Sequence, residues 1–140
     1  MKTRTQTDME MAARLVDEVA KTQDAETRKI FGGLCHSFPI MVRTCGLCQA
    51  VAFSEDKATV STGTAKPRQK AHKLLLEHVA VLLNGPNQQL SPADRARGAT
   101  VSEYMHDTLR ILSAWVFWKR FAVSILKVQS AKDAKENTDV

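Results

Sequence analysis

The sequence predicts an all-α protein, a compact single-domain bundle of five to six helices. Apolar residues recur at three- and four-residue spacing over long stretches, which is the pattern of amphipathic helices. Only six glycines and four prolines occur in 140 residues, too few for a turn-rich β fold. The chain is 44% hydrophobic and long enough for one core. We therefore expect one helical domain over residues 1–130 and a polar tail over residues 131–140.

The N-terminal region predicts an amphipathic helix followed by an interruption. Residues 1–26 carry apolar side chains at helical spacing, with charged residues on the other side. Gly32 and Gly33 then break a short apolar piece. Pro39 suits the first turn of a new helix because its missing N–H would be unpaired there, and Ser37 is the predicted N-cap.

The middle of the chain predicts two further helices. Residues 39–54 are apolar on nearly every face, which is typical of a buried central helix. Residues 55–67 are polar and are predicted to form a loop. The next helix is predicted over residues 67–83, and the Asn-Gly-Pro sequence at residues 84–86 is a strong signal for its end.

The C-terminal third predicts one short helix and one long one. A Ser-Pro pair at residues 91–92 can open a short helix within a loop. Thr100 and Glu103 have the spacing of a capping box, and the helical pattern continues over residues 103–128. This pattern is longer than an average helix, so a break near Ser113 is an alternative.

The last helix is expected to supply much of the core. Four of the eight aromatic residues lie between residues 115 and 121, and each buried aromatic side chain removes roughly 150–250 Å² from water. Trp115 and Trp118 fall on the predicted inner face, and Leu109 and Val116 are predicted to widen it.

The three cysteines, Cys35, Cys45 and Cys48, cannot all pair, which favours a reducing compartment over a disulfide scaffold. The Cys-x-x-Cys motif could bind zinc or exchange disulfides. A zinc site needs a second ligand pair, and Cys35 and His36 are adjacent, so their side chains point in different directions. We therefore expect buried packing thiols, with no metal and no cofactor. A zinc or thiol-redox protein remains an alternative.

Sequence motifs favour a binding protein over an enzyme. There is no Walker loop, G-x-G-x-x-G, H-E-x-x-H or G-x-S-x-G motif, and no nucleophile has an evident base. No apolar run approaches the roughly 20 residues of a membrane helix, and the N-terminus has no signal-peptide pattern. We expect a cytoplasmic protein with no membrane partner.

The positive charge is concentrated in one segment. Residues 57–73 contain no acid, and their five cations equal the formal net charge of +5. His72 adds a titratable donor. This density around a helix start suits phosphate oxygens, although a solvated loop and helix end would have the same composition. The cations are Lys57, Lys66, Arg68, Lys70 and Lys73.

A second basic motif, Trp-Lys-Arg-Phe, occupies residues 118–121. Cations beside aromatic rings can stack nucleotides, but the pattern favours rings that point into the core with Lys119 and Arg120 at its edge. A small basic helical nucleic-acid-binding regulator, such as a helix-turn-helix protein, therefore remains an alternative. It would need a recognition helix with exposed polar residues, and the last helix is too apolar for that role.

Two stretches together carry a family resemblance. One is FPIMVRTCGLCQAVAF at residues 38–53, and the other joins YMHDT at residues 104–108 to FWKRFA at residues 117–122. They resemble the small helical subunit of type III-B CRISPR effector complexes, the Cmr module. In that family an aromatic residue or Leu before Pro precedes an apolar helix that reads roughly N-G-L-x-Q-x-x-A-F, and a C-terminal helix reads roughly aromatic-apolar-K-R-F-A. Cys45 and Cys48 depart from this pattern, which usually has Asn and a small residue there.

The resemblance implies a noncatalytic structural subunit of an RNA-silencing complex in antiviral defence. Such a subunit packs beside the backbone subunits and neighbouring copies of itself, and helps hold the guide and target RNA. The basic side chains would contact phosphates without reading the RNA sequence. The residues predicted for this role are Arg43, Lys66, Arg68, Lys70, Lys119 and Arg120.

Overall fold

A computed structural model describes residues 1–59, 63–84 and 90–130. Within these ranges the chain forms six α-helices and no strand, which confirms the predicted all-α bundle. The predicted tail over residues 131–140 lies outside the described residues, as do Gly85 and Pro86. The helices are α1 (Arg4–Thr22), α2 (Ala25–Cys45), α3 (Leu47–Ala58), α4 (Pro67–Asn84), α5 (Pro92–Gly98) and α6 (Val101–Ser124).

Helix α2 lies at the centre and packs against α3, α4 and α6, while α1 lies along α6 and α5 lies on α3. The core contains the two tryptophans of α6, both fully buried. Their rings stack with centroids 4.6 Å apart and planes 3° from parallel. The indole N–H of Trp118 donates to His78 Nδ1 at 3.0 Å, which joins α6 to α4. The prediction that Trp115 and Trp118 lie in the core is confirmed.

Helix α1 ends at Thr22, so the prediction of one helix over residues 1–26 is wrong at its C-terminal end. Asp24 is the N-cap of α2, and its carboxylate accepts hydrogen bonds from the Thr27 hydroxyl at 2.6 Å and the Thr27 N–H at 3.4 Å. The hydroxyl bond is the main reason that the pKa of Asp24 is lowered. The cap starts a second helix where the apolar pattern indicated a continuation of the first.

Helix α2 runs through Pro39, so the prediction that a helix begins there is wrong. A proline inside a helix cannot donate to the carbonyl four residues earlier, which here belongs to Cys35. That carbonyl accepts the indole N–H of Trp115 instead, at 3.1 Å. Gly32 is also helical, and a Cβ there would lie 2.5 Å from Val128 Cγ2. Contacts with residues distant in sequence thus keep α2 continuous at Gly32 and Pro39, where an isolated helix would be interrupted.

The predicted central helix over residues 39–54 is wrong, because Gly46 divides it into α2 and α3. Gly46 has a φ of +90°, a backbone conformation that residues with a side chain rarely adopt. The N–H of Cys48 donates to the Tyr104 hydroxyl at 2.9 Å rather than to the preceding helix. The segment is not buried all round, since Ile40 is 53% exposed and Phe53 is 37% exposed. Helix α3 also extends into the predicted loop.

Helices α4, α5 and α6 begin close to the predicted positions. The Ser91 hydroxyl caps α5 by accepting the Asp94 N–H at 3.1 Å. Both bonds of the predicted capping box join Thr100 and Glu103 at the start of α6. Helix α6 does not break at Ser113 and ends at Ser124 rather than near Val128. The chain beyond α6 turns back toward α2.

Leu109 and Val116 do not widen the buried face of α6 as predicted: they are 65% and 51% exposed. Helix α1 packs on another side of α6, where Arg110 donates to both carboxylate oxygens of Asp8 at 2.7 Å. The exposed apolar side chains of α6 therefore lie on a face that no helix of the described chain covers.

Candidate nucleic-acid interface

The acid-free segment, residues 57–73, includes the end of α3 and the start of α4. We call the described residues of this segment the basic end. The Gln69 amide N–H donates to the Thr59 carbonyl at 3.1 Å, which joins the two helices. The same side chain accepts the Lys66 N–H at 2.8 Å. Lys57 lies over the Phe53 ring, 5.4 Å from its centroid. The segment therefore has a defined shape at both flanks of residues 60–62, which lie outside the described residues.

The cations of the basic end form no internal ion pair, although Lys70 is near enough to Asp24 to contribute to the lowered pKa of that carboxyl group. None of the five forms an ion pair within the described ranges. Lys66 and Lys73 are exposed, and Arg68 and Lys70 are half-buried. The positive end of the α4 dipole points the same way. Unpaired cations at a helix N-terminus favour an external anion.

His72 does not add a titratable donor to this surface, so that prediction is wrong. Its ring is buried, with Nδ1 at 3.3 Å from the Ser54 hydroxyl. Burial, reinforced by the nearby positive charges of Arg68 and Lys57, lowers the pKa of His72 to about 4. The imidazole is therefore neutral near pH 7 and joins α4 to α3.

The six residues predicted to contact RNA do not form one cluster. Lys66, Arg68 and Lys70 lie together at the N-terminal end of α4. Arg43 lies at the other end of the bundle, on the last turn of α2. Helix α4 alone, with 18 residues, spans roughly 27 Å between these ends.

Lys119 and Arg120 lie in a third place, on the C-terminal half of α6. They line a groove of about 520 Å³ between α6 and α2, together with His36, Val116, Val123 and Ser124. The His36 Nε2–H donates to the Val128 carbonyl at 2.8 Å, which closes one side of the groove. Trp118 is fully buried, as the favoured interpretation of the Trp-Lys-Arg-Phe motif has it, so the alternative of nucleotide stacking is not available at that ring.

The three cysteines differ in exposure. Cys35 is buried, and burial raises the pKa of its thiol above the ordinary value. Cys45 and Cys48 are exposed, so the prediction that they are buried packing thiols is wrong. They flank the turn at Gly46 instead of lying inside a buried helix. No group of three or more metal-binding side chains comes together in the described part of the chain.

Sequence reasoning missed the ion pairs at the end of the bundle opposite the basic end. Arg95 donates two hydrogen bonds to Asp107, at 2.7 and 3.0 Å, and a third to the Asn84 amide oxygen at 2.8 Å. Arg110 pairs with Asp8 across 102 positions of sequence. No local pattern could indicate such distant partners. These arginines are neutralised by buried carboxylates, whereas the cations of the basic end are not.

No helix in the described ranges is long and apolar enough to cross a membrane. The fold and the surface define an all-α protein with an unpaired cationic end. Residues 4–125 match the family described as CRISPR-associated protein (Cas_Cmr5). The chain belongs to this Cmr5 family, which confirms the resemblance to the small subunit of the Cmr module.

Two similar proteins come from Thermus thermophilus. One is the "CRISPR system Cmr subunit Cmr5", 31% identical over 127 residues that cover 91% of this chain and 99% of the relative. The other is the X-ray crystal structure of a CRISPR-associated Cmr5 family protein, with a TM-score of 0.68 and 29% identity. That likeness covers 89% of this chain and 98% of the solved one.

Proposed function

We propose that this protein is a noncatalytic structural subunit of a type III-B CRISPR effector complex in the cytoplasm. It packs beside the backbone subunits and helps hold the guide–target RNA during antiviral defence. Membership of the Cmr5 family supports the assembly role. The single observation that supports the RNA role is the ion-pair-free basic end.

The RNA contact proposed here rests on Lys66, Arg68 and Lys70. They surround the N-terminal end of one helix, where Arg68 and Lys70 lie on different sides of α4, so phosphates that approach this helix end can meet all three. Contacts of this kind position RNA through its charge and shape. Arg43 is too distant to share that stretch and stays a separate prediction.

The test compares two triple variants of equal charge in the complex reconstituted with its other subunits and guide RNA. Lys66, Arg68 and Lys70 are changed to Gln in one variant. Lys2, Arg4 and Arg14 are changed to Gln in the control, because all three are exposed and lie on or before α1. Target-RNA affinity is measured at several salt concentrations.

We expect the first variant to bind target RNA at least tenfold more weakly at physiological salt, and the control to bind normally. The slope of log affinity against log salt should fall by about 2 in magnitude, since each lost phosphate contact contributes roughly 0.7 for a single strand. Both isolated variants should unfold close to the wild-type temperature, because Gln keeps the inner part of each aliphatic stem, including those of the half-buried Arg68 and Lys70. Unchanged affinity and slope in the first variant would refute the electrostatic role.

A further inference from the structure

Helix α6 has an exposed apolar stripe, which we call the α6 ridge. It consists of Val101, Met105, Leu109 and Val116, which are 79%, 59%, 65% and 51% exposed. Their spacing of four, four and seven residues puts them on one side of the helix. The ridge is about 22 Å long, from the helical rise over fifteen residues. These four make up nearly half of the large apolar side chains that are exposed in the described ranges.

The ridge carries no acidic side chain, because the exposed Glu103 is two positions from Val101 and Met105 and so lies on another side of α6. The two acidic residues of α6 are Glu103, which accepts the Thr100 N–H at 2.8 Å, and Asp107, which is buried against Arg95. At its C-terminal end the ridge continues through Val116 into the groove that holds Lys119 and Arg120. Neither of these cations forms an ion pair with a described residue. The surface is therefore apolar for four turns and cationic at one end.

We propose that the α6 ridge is a docking surface for an amphipathic helix of another protein of the effector complex. The docked helix presents apolar side chains to the ridge and acidic side chains to Lys119 and Arg120. This inference rests on the proposed role as a complex subunit. It assigns Lys119 and Arg120 to a protein partner instead of RNA.

Charge and shape favour this occupant over the alternatives. RNA phosphates could neutralise Lys119 and Arg120 but would leave four turns of apolar surface in contact with water, at a cost proportional to its area. Two copies pairing ridge to ridge would bury the apolar side chains. They would bring no carboxylate of α6 to Lys119 or Arg120 from the ridge side, because Asp107 is buried against Arg95 and Glu103 lies on another side of the helix. A helix with acidic residues at one end satisfies both parts of the surface.

The first experiment places a photoreactive amino acid at Leu109 in the chain expressed with the other subunits of its complex. A control chain carries the same group at Glu18, an exposed position on α1. We expect a cross-link from position 109 to a helical segment of another subunit with apolar residues at helical spacing and acids at one end. A cross-link to a second copy of this chain, or to RNA, would overturn the proposal, as would no cross-link above that of the control.

The second experiment measures incorporation of variants into the complex after treatment with ribonuclease. We expect Leu109→Asp and the double variant K119E/R120E each to reduce incorporation at least tenfold. Met9→Asp, which changes an apolar residue 48% exposed on α1, should incorporate normally. The melting temperatures of the isolated variants should match wild type, because the changed side chains lie on the surface.

Normal incorporation of both Leu109→Asp and K119E/R120E would overturn the docking proposal and leave the role of the basic end intact. Failure of the wild-type chain to copurify with any other subunit would instead overturn the proposed function itself. The two proposals therefore fail in different measurements. The Lys66, Arg68 and Lys70 triple variant separates them further, since it should lose RNA affinity while it still incorporates.

Discussion

Helices α2 and α6 pack against each other but are stabilised in different ways. Helix α6 has both bonds of a capping box at its start and no glycine or proline within it. Helix α2 contains Gly32, Gly33 and Pro39, residues that destabilise an isolated helix by about 1 kcal/mol for each glycine and 3 kcal/mol for the proline. Local interactions favour α6, whereas α2 depends on its neighbours.

The neighbours that stabilise α2 come from α6 and from the chain just beyond it. Trp115 donates to the carbonyl that Pro39 leaves free. Val128 occupies the space where Gly32 has no side chain, and the Val128 carbonyl accepts the His36 ring N–H. A helix whose own residues have low helix propensity can thus be stabilised by contacts with a neighbouring helix of higher propensity. Three substitutions test this difference, from the largest expected effect to the smallest.

Replacing the donor from α6 should have the largest effect. We expect Trp115→Phe to lower the free energy of unfolding by about 2–3 kcal/mol, because it leaves the buried Cys35 carbonyl unpaired and a smaller ring in the core. Urea denaturation of the isolated protein measures this loss. The matched background is Pro39→Ala, in which the new backbone N–H at position 39 can donate to the same carbonyl. Trp115→Phe should cost at least about 1 kcal/mol less there, and an equal cost in both backgrounds would contradict the compensating bond.

Filling the space beside α2 should have an intermediate effect. We expect Gly32→Ala to cost about 1–2 kcal/mol, because the clash with Val128 outweighs the better helix propensity of alanine. Thermal unfolding followed by circular dichroism measures the change. In a Val128→Gly background the contacting atoms are gone, so the same substitution should be neutral or stabilising. If it destabilises equally there, the close approach of Val128 is not the reason that glycine occupies position 32.

Removing the α6 cap should have the smallest effect of the three. We expect Thr100→Ala to cost about 1 kcal/mol, the usual value for a lost N-cap, and Thr100→Ser to cost little because its hydroxyl can still accept the Glu103 N–H. Urea denaturation of both variants provides the comparison. A loss of stability as large as that of Trp115→Phe would show that α6 depends on this one cap, and would contradict the claim that several local interactions favour α6 over α2.

The elements that the sequence predicted well are those with local signals. Thr100, Ser91 and Pro67 mark helix starts that the structure confirms, because a cap or an N-terminal proline acts within one turn. The spacing of Trp115 and Trp118 follows the helical period, which predicts that both lie in the core. The acid-free composition of residues 57–73 likewise located the basic end without any knowledge of packing.

Several errors fall where a distant residue changes a local preference, whereas the cap at Asp24 and the turn at Gly46 are local signals that the apolar periodicity obscures. Pro39 and Gly32 indicated interruptions, but Trp115 and Val128 make α2 continuous across them. Gly46 falls inside the predicted central helix, although its positive φ ends one helix and starts the next. The exposure of Leu109 and Val116 could not be predicted, because periodicity shows which residues share a face and not which faces a neighbour covers.

The sequence by itself determined the all-α class, the N-caps of α5 and α6, the aromatic core of α6 and the concentration of positive charge in one segment. These follow from composition and from interactions spanning a few residues. Only the tertiary structure decided which cations remain unpaired, since Arg95 and Arg110 find their carboxylates through folding while Lys66 and Lys119 find none within 4 Å in the described ranges. The tertiary structure also decided that an apolar face of α6 is left uncovered. The physical reason is that pairing and burial depend on which residues the fold brings within contact distance, and that is not a local property of the chain.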